Sequence, residues 1–420
     1  MNISEKTRAL AAHGEQELSG IFADIDATAR DLTERVLDIF REKRVSETMF
    51  AATTGYGYGD RGRDTIDAIA ARLFGGEAGF MRTSIVSGTH ALTVGLFGLL
   101  RPGDVMLSVT EAPYDTLRGV VGMDGADGTG SLTDFGVRYA QLSFTPDGRI
   151  DMQALPEAID GYGDRLKVVF MQRSKGYMDR RTLSVDEIGR VCDLVREKCA
   201  GREVYTVVDN CYGEFCEHKE PAAVGADLVI GSLIKNPGGG MADTGGYLVG
   251  TERAVELASY RLTCPGVGLE VGASLGQNRN LLRGLFYAPH TTAQSLKAAH
   301  LAAYVFDSLG YSVSPAPFEK RSDIIQTVKL ESPEGLVEFC RGIQSASPVD
   351  AYVSPEPWEM PGYDDQVVMA AGAFVGGSSI ELSADGPMRD PYIAFMQGGL
   401  TYESARLAIM AAADRCGAKK

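Results

Sequence analysis

The segment ADLVIGSLIKNPGGG, residues 226–240, decides the fold. Its apolar run, Leu228–Ile230, is short and bounded by turn-forming residues, which predicts a buried strand and not a helix. Lys235 follows at once. An ammonium is costly to bury unless it is paired or loses its proton, so a lysine against this apolar flank is out of place as a plain surface-turn residue. A lysine whose pKa its surroundings can tune, and which can condense with a carbonyl, resolves the conflict. The three glycines after it are expected to let the backbone pass close to a planar group.

Working outward, residues 80–255 alternate short apolar runs with helical patterns. The strand-like runs are VMLSV (105–109), LKVVFM (166–171), VYTVVD (204–209), DLVIGS (227–232) and GYLVG (246–250); helical patterns cover 88–100 and 184–199. Such alternation predicts βαβ units and a mostly parallel sheet. Before it, 22–42 carries an apolar stripe (Ile25, Ala29, Leu32, Val36, Ile39) at helical spacing, and a further helix runs from Arg63 to Leu73. After it, a helix over 292–309 leads into an α+β region. The expected division is an N-terminal helical arm (1–54), a large domain (55–290) and a small C-terminal domain (291–420).

In parallel α/β sheets, ligands lie beyond the carboxyl ends of the strands. Three more features fall there. Ser87-Gly88-Thr89 opens the helix over 88–100, and a helix start rich in hydroxyls and glycine suits a phosphate, although alone it reads as an ordinary N-cap. Asp209 ends the run VYTVVD, where a carboxylate could hold a pyridinium nitrogen protonated or simply form a turn with Asn210. Arg389, in ELSADGPMRDPY, could clamp a substrate carboxylate through paired hydrogen bonds or lie on a surface turn.

The composition narrows the partners. With 44 % apolar and 23 % charged residues, the 420-residue chain is of globular type. A formal charge of -15 argues against nucleic acid or an anionic membrane as partner. No run approaches the roughly 18 apolar residues of a membrane span, and the N-terminus lacks the apolar stretch of a signal peptide. Seven scattered cysteines without a CxxC, and five histidines without ligand spacing, predict reduced thiols, a cytoplasmic setting and no metal.

A phosphate-type helix start, a strand-end aspartate, a lysine 26 residues on and a C-terminal arginine follow the order used by fold-type I pyridoxal-phosphate (PLP) enzymes. Across Gly55–Glu403 the chain resembles the aluminium-resistance, methionine-gamma-lyase-like family, relatives of the cystathionine lyases. The matching segments include YGYGDRGRDTI, SGTHAL, PYDTL, QRSKGY, VDNCYGEF, GSLIKNPGGG, SPVDAYVSPEPWEMPGY and ELSADGP. The resemblance implies an aspartate-aminotransferase-like fold, with a mostly parallel seven-stranded sheet and a smaller C-terminal α+β domain.

It also implies roles. Lys235 would carry PLP and move the Cα proton, and Asp209 would partner the pyridinium. Ser87, Gly88, Thr89 and Ser232 would cradle the phosphate, and Tyr114 would stack on the ring and share in proton transfer. Tyr56 and Tyr58, with Arg61 or Arg63, resemble a loop lent to a neighbouring subunit's phosphate, which implies a homodimer or homotetramer with shared sites. Arg389, or else Arg173 of QRSKGY, would bind the substrate carboxylate. The cystathionine lyases carry Ser-x-Thr-Lys; here Ile234 replaces the threonine. The implied reaction is β- or γ-elimination from an amino acid, with cleavage of a C–S bond in a methionine- or cystathionine-like substrate. Loss of a halide to give an unsaturated amino acid, or a catalytically silent PLP-binding protein, are the alternatives.

Overall fold

Strands β1 (Ala78–Arg82), β2 (Val105–Ser108), β3 (Arg138–Gln141), β4 (Leu166–Gln172), β5 (Tyr205–Asp209), β6 (Leu228–Ser232) and β7 (Gly246–Gly250) form one sheet in the order β1-β7-β6-β5-β4-β2-β3. The computed structural model describes residues 3–123, 125 and 127–419, so the first two residues of the expected arm lie outside it. Pairing is parallel from β3 through β6, while β7 runs antiparallel to both β6 and β1. Every residue of β5, β6 and β7 is buried, which is why their sequences read as continuous apolar runs. Sequence periodicity did not reveal β1 or β3. The first (AGFMR) is broken by Gly79, and the second (RYAQ) is a polar edge strand with no buried face.

A second, antiparallel sheet is ordered β10-β11-β12-β9-β8, with β8 (Ser312–Ser314), β9 (Gln326–Lys329), β10 (Val367–Ala370), β11 (Ser383–Pro387) and β12 (Ile393–Gln397). Helices Pro333–Gln344 and Tyr402–Cys416 pack with it, giving the expected smaller α+β part. The helix expected over 292–309 is the second half of a longer one, Asn278–Ser308. Pro289 and Gly284 disguise its first half, because proline removes one helical hydrogen bond and glycine weakens the pattern. The N-terminal segment is shared between two cores. Leu32, Val36 and Ile39 of the helix Ser19–Glu42 pack with Val169, Val208 and Val229 of the large sheet. Ile3 and Ala11 pack with Leu301, Phe306 and Phe339 beside the small one.

Register fixes where a site can form. Gln172 of β4 lies opposite Asp209 of β5, which lies opposite Ile230 of β6. The three strands therefore end nearly level, and the residues that follow them share one edge. Among the described residues, no helix is long and apolar enough to cross a membrane.

Candidate active site

That edge carries a narrow cleft closed on its far side by the small sheet. It is lined by Gln172, Ser174 and Tyr177 after β4, Asp209, Cys211 and Tyr212 at β5, Lys235 after β6, Tyr114, and Asp385, Phe395 and Gln397 of β11 and β12. Of the sequence-predicted residues, Lys235, Asp209 and Tyr114 are thus brought together.

Lys235 is extended and begins a single turn, Asn236–Gly238. The Asn236 side-chain amide donates to the carbonyls of Tyr212 (3.0 Å) and Glu214 (2.9 Å), tying this turn to the segment after β5. The glycines allow close approach within the protein itself. A Cβ on Gly238 would lie within 1.7 Å of the Leu233 carbonyl oxygen, and one on Gly239 within 2.5 Å of the Gly284 oxygen. Gly238 thus allows close packing on the Leu233 backbone, and Gly239 on the long helix Asn278–Ser308. The Lys235 Nζ stands 3.9 Å from the centre of the Tyr212 ring, a cation–π contact. Burial works to lower its pKa, but the surrounding Cys211, Tyr212 and Asp209 outweigh it and hold the amine above the usual lysine value.

The Asp209 carboxylate accepts from the Cys211 N–H at 3.1 Å. Burial pushes its pKa up, while nearby Lys235 and the Cys211 hydrogen bond pull it back. Tyr114 donates its backbone N–H to the Gln172 side-chain oxygen (2.6 Å), and its hydroxyl lies 2.5 Å from that of Tyr363. Tyr177 donates its hydroxyl to Asp385 (2.5 Å), which also accepts from Gln397 (3.3 Å). Burial raises the Asp385 carboxyl to about 6 in spite of these two donors.

The residues expected to cradle a phosphate lie beside the cleft. Ser87 caps the helix Gly88–Leu99, accepting from the His90 N–H at 3.1 Å. As at any helix start, the first N–H groups have no partner inside the helix. A Cβ on Gly88 would sit 3.4 Å from the Ser232 Cβ and 3.5 Å from the Cys211 Sγ, so these three residues crowd one spot. The Ser232 hydroxyl is buried there with no hydrogen-bond partner among the described residues. The Thr89 hydroxyl pairs with that of Thr116 (2.7 Å). An orphaned buried hydroxyl against a glycine-bearing helix N-terminus, near a half-buried lysine and a strand-end aspartate, fits PLP.

The arginines stand apart. The Arg173 guanidinium is fully buried away from the cleft, donating to Asn210 (2.8 Å), Glu217 (2.8 Å) and the Leu183 carbonyl (3.3 Å). Arg389 lies at the surface, paired with Asp365 at 2.9 Å. Neither lines the cleft; among its described lining residues Lys235 is the one cation. Tyr56 and Tyr58 are 73 % and 68 % exposed with their rings 5.5 Å apart. Arg61 beside them is exposed too, whereas Arg63 is buried and committed to the carbonyls of Gly57 and Gly272. Sequence reasoning did not single out Tyr177, Tyr212, Tyr363, Asp385 or Gln397. All of them lie in segments that carry the family resemblance, Gln397 opening QGGLTYE (397–403), and Tyr212 stands three residues after Asp209.

The methionine gamma-lyase family model matches residues 7–417. The uncharacterised protein YnbB of Bacillus subtilis (strain 168) is 48 % identical over 410 residues, 98 % of this chain and 96 % of its own. A carbon–sulfur lyase involved in aluminium resistance from Clostridium novyi NT superposes with a TM-score of 0.94 at 45 % identity, covering 99 % of this chain and 97 % of that one. A structure described as a cystathionine beta-lyase involved in aluminium resistance, from Clostridium acetobutylicum, gives a TM-score of 0.95 at 44 % identity over 99 % and 96 %. PLP-dependent proteins as distant as 16 % identity share the architecture (TM-score 0.60), which is the fold-type I fold. The chain belongs to the methionine gamma-lyase family.

Proposed function

We propose that this protein is a PLP-dependent carbon–sulfur lyase that eliminates a thiol from the β or γ carbon of an amino acid. The observation that carries the reading is the convergence, at one sheet edge, of half-buried Lys235, buried Asp209 and the orphaned Ser232 hydroxyl at a helix N-terminus. Lys235 would hold the cofactor's aldehyde carbon, Asp209 its ring nitrogen and Tyr114 its ring face, with Ser87, Gly88, Thr89 and Ser232 on its phosphate. When bound, PLP supplies an electron sink that stabilises a carbanion at the substrate's Cα.

The chain's own groups do the proton work. The Lys235 amine, once displaced by substrate, would take the Cα proton, and Tyr114, which lines the same cleft, would protonate a departing sulfur. Tyr177, Tyr212 and Phe395 wall the cleft with aromatic surface, which suits an apolar thioether and limits water. Exposed Tyr56, Tyr58 and Arg61 form the loop offered to a neighbouring subunit of a homodimer or homotetramer. Arg389 and Arg173 were the two candidates for the substrate carboxylate. Committed to Glu217 and Asn210, Arg173 is the weaker of them, and Arg389 reaches the cleft only through the segment bearing Asp365. The organisation proposed is an arm (1–54), a cofactor-binding domain (55–290) and a small domain (291–420), working in the cytoplasm.

The test is direct. Purified protein should be yellow, and borohydride should fix the colour onto the peptide containing Lys235; Lys235→Ala should abolish both colour and turnover. Incubation with methionine, cystathionine and a γ-halo amino acid, following thiol and 2-oxo acid, assigns the leaving group. Protein that stays colourless with added PLP, or that releases no thiol from either sulfur substrate, refutes the reading.

A further inference from the structure

Three phenols line the cleft, and their hydroxyls are not equivalent. The Tyr177 proton is donated to Asp385, and the Tyr212 ring lies under the Lys235 amine. Tyr114 alone shares a hydrogen bond with another phenol, Tyr363, at 2.5 Å. Two phenols hold two protons but need only one to join them, so the second is free to be delivered outward from either end.

The two ends face different places. Tyr114 lines the cleft, at the head of the helix Asp115–Val121. Tyr363 stands behind it on the segment before β10, between exposed Gly362 and Asp364. Several contacts hold that segment in place. Asp364 pairs with Arg118 (3.4 Å), Asp365 with Arg389 (2.9 Å), and a Cβ on Gly362 would touch the Thr116 methyl at 3.4 Å. The Tyr114 phenol is held well above the usual tyrosine value by its burial, with Tyr363, Tyr212 and Asp385 adding to it, so a phenolate left there is costly.

Resting on the lyase reading, we propose that Tyr363 is the outer member of a phenolic relay that returns a proton from solvent to Tyr114. In a β-elimination the Cα–H bond breaks, its proton going to Lys235 and its electron pair forming the Cα–Cβ π bond. The Cβ–S bond breaks with its pair on sulfur, which takes the Tyr114 proton. Tyr114 recovers a proton from Tyr363, and Tyr363 recovers one from water. Tyr363 acts through Tyr114 and is a positioning residue. Arg389, by holding Asp365, keeps the relay aligned.

The experiment compares Tyr363→Phe with wild-type holoenzyme on two cysteine thioethers. An S-alkyl substrate releases a basic thiolate that needs its proton; an S-nitrophenyl substrate releases a stable anion that does not. The variant should lose on the order of 10²-fold in kcat on the alkyl substrate, the lower end of what a positioned acid contributes, with a larger solvent isotope effect. On the nitrophenyl substrate kcat should be unchanged. Equal losses on both substrates, or no loss on either, overturn the relay while leaving the lyase reading intact. Wild-type enzyme that turns over neither substrate overturns the relay, and overturns the lyase reading as well if it also releases no thiol from methionine or cystathionine.

Discussion

Arg173 offers the sharpest separation between structural and substrate-binding roles. Its guanidinium has no exposed surface and lies 2.8 Å from Glu217 and 3.7 Å from Glu220, whose side chains are themselves nearly buried. Arg173→Met keeps most of the volume but strands two carboxylates and removes the donor to Asn210. Breaking one partner out of a buried pair costs about 3–5 kcal/mol, a large share of the roughly 5–15 kcal/mol by which folded proteins are stable. On the proposed reading the protein is a cofactor-binding oligomer, which would not unfold in two states, so the fitting assays are the urea midpoint of the apoprotein and the half-life of the holoenzyme on heating. Both should fall steeply. Adding Glu217→Gln should restore part of the loss, with a coupling on the order of 0.5–3 kcal/mol. KM of whatever folded Arg173→Met enzyme remains should stay near wild type. A variant as stable as wild type whose KM is raised tenfold, equivalent to about 1.4 kcal/mol of binding, would show that Arg173 holds the substrate and that the buried network is incidental.

Two other outcomes follow from the site. The Asp385 carboxyl rises from 3.8 to about 6 on folding, chiefly through burial. The folded state therefore binds more protons than the unfolded one between those values, and stability falls as pH rises through that window, by about 3 kcal/mol in all. Asp385→Asn should flatten this slope in urea midpoints taken at pH 4 and pH 8; an unchanged slope assigns the dependence elsewhere. The second concerns Tyr56, Tyr58 and Arg61. A triple alanine variant should bind PLP weakly yet keep its far-ultraviolet spectrum, and mixing it with inactive Lys235→Ala protein should restore activity through hybrid sites. Mixtures that stay inactive after subunit exchange is verified would place that loop outside the active site.

The large sheet was legible because its strands are buried on both faces, so burial and sequence say the same thing. Lys235 stood out because it breaks that pattern, and Asp209 because it ends it. Tyr177 and Asp385 carry no such contradiction. A tyrosine after a strand and an aspartate before a Gly-Pro pair are ordinary locally, and they acquire meaning only when the small sheet folds across the edge of the large one. The same limit explains the arginines. Sequence can say that Arg173 and Arg389 could clamp a carboxylate, but not that Glu217 and Asp365 already claim them. Ser232 came only with the family resemblance, and the structure adds that its hydroxyl has no hydrogen-bond partner among the described residues. Gly239 was read for close approach, and sequence hid one of its neighbours, because the long helix it packs on begins at Asn278 behind a disguising Pro289.

Charge argues that one chain does not hold a whole site. The described cleft lining sets one cation, Lys235, against two carboxylates, Asp209 and Asp385. On the proposed reading, this lining must receive a phosphate and a substrate carboxylate in a protein whose formal charge is already -15. The helix start at Gly88 offsets part of the phosphate charge through its N–H groups, worth on the order of 1 kcal/mol where partly exposed. That is small against desolvating a dianion, and binding needs further positive charge close by. Arg173 is neutralised by Glu217 and Glu220, and Arg63 is spent on the carbonyls of Gly57 and Gly272. Arg61 lies exposed beside two exposed tyrosines whose rings are 5.5 Å apart, on a loop whose ends Asp60 ties to Thr53 and Asn278. On the proposed reading, a cation displayed on such a loop is placed to serve another molecule's cleft better than its own. The missing charge and the displayed arginine together favour a site completed by a second copy of the chain.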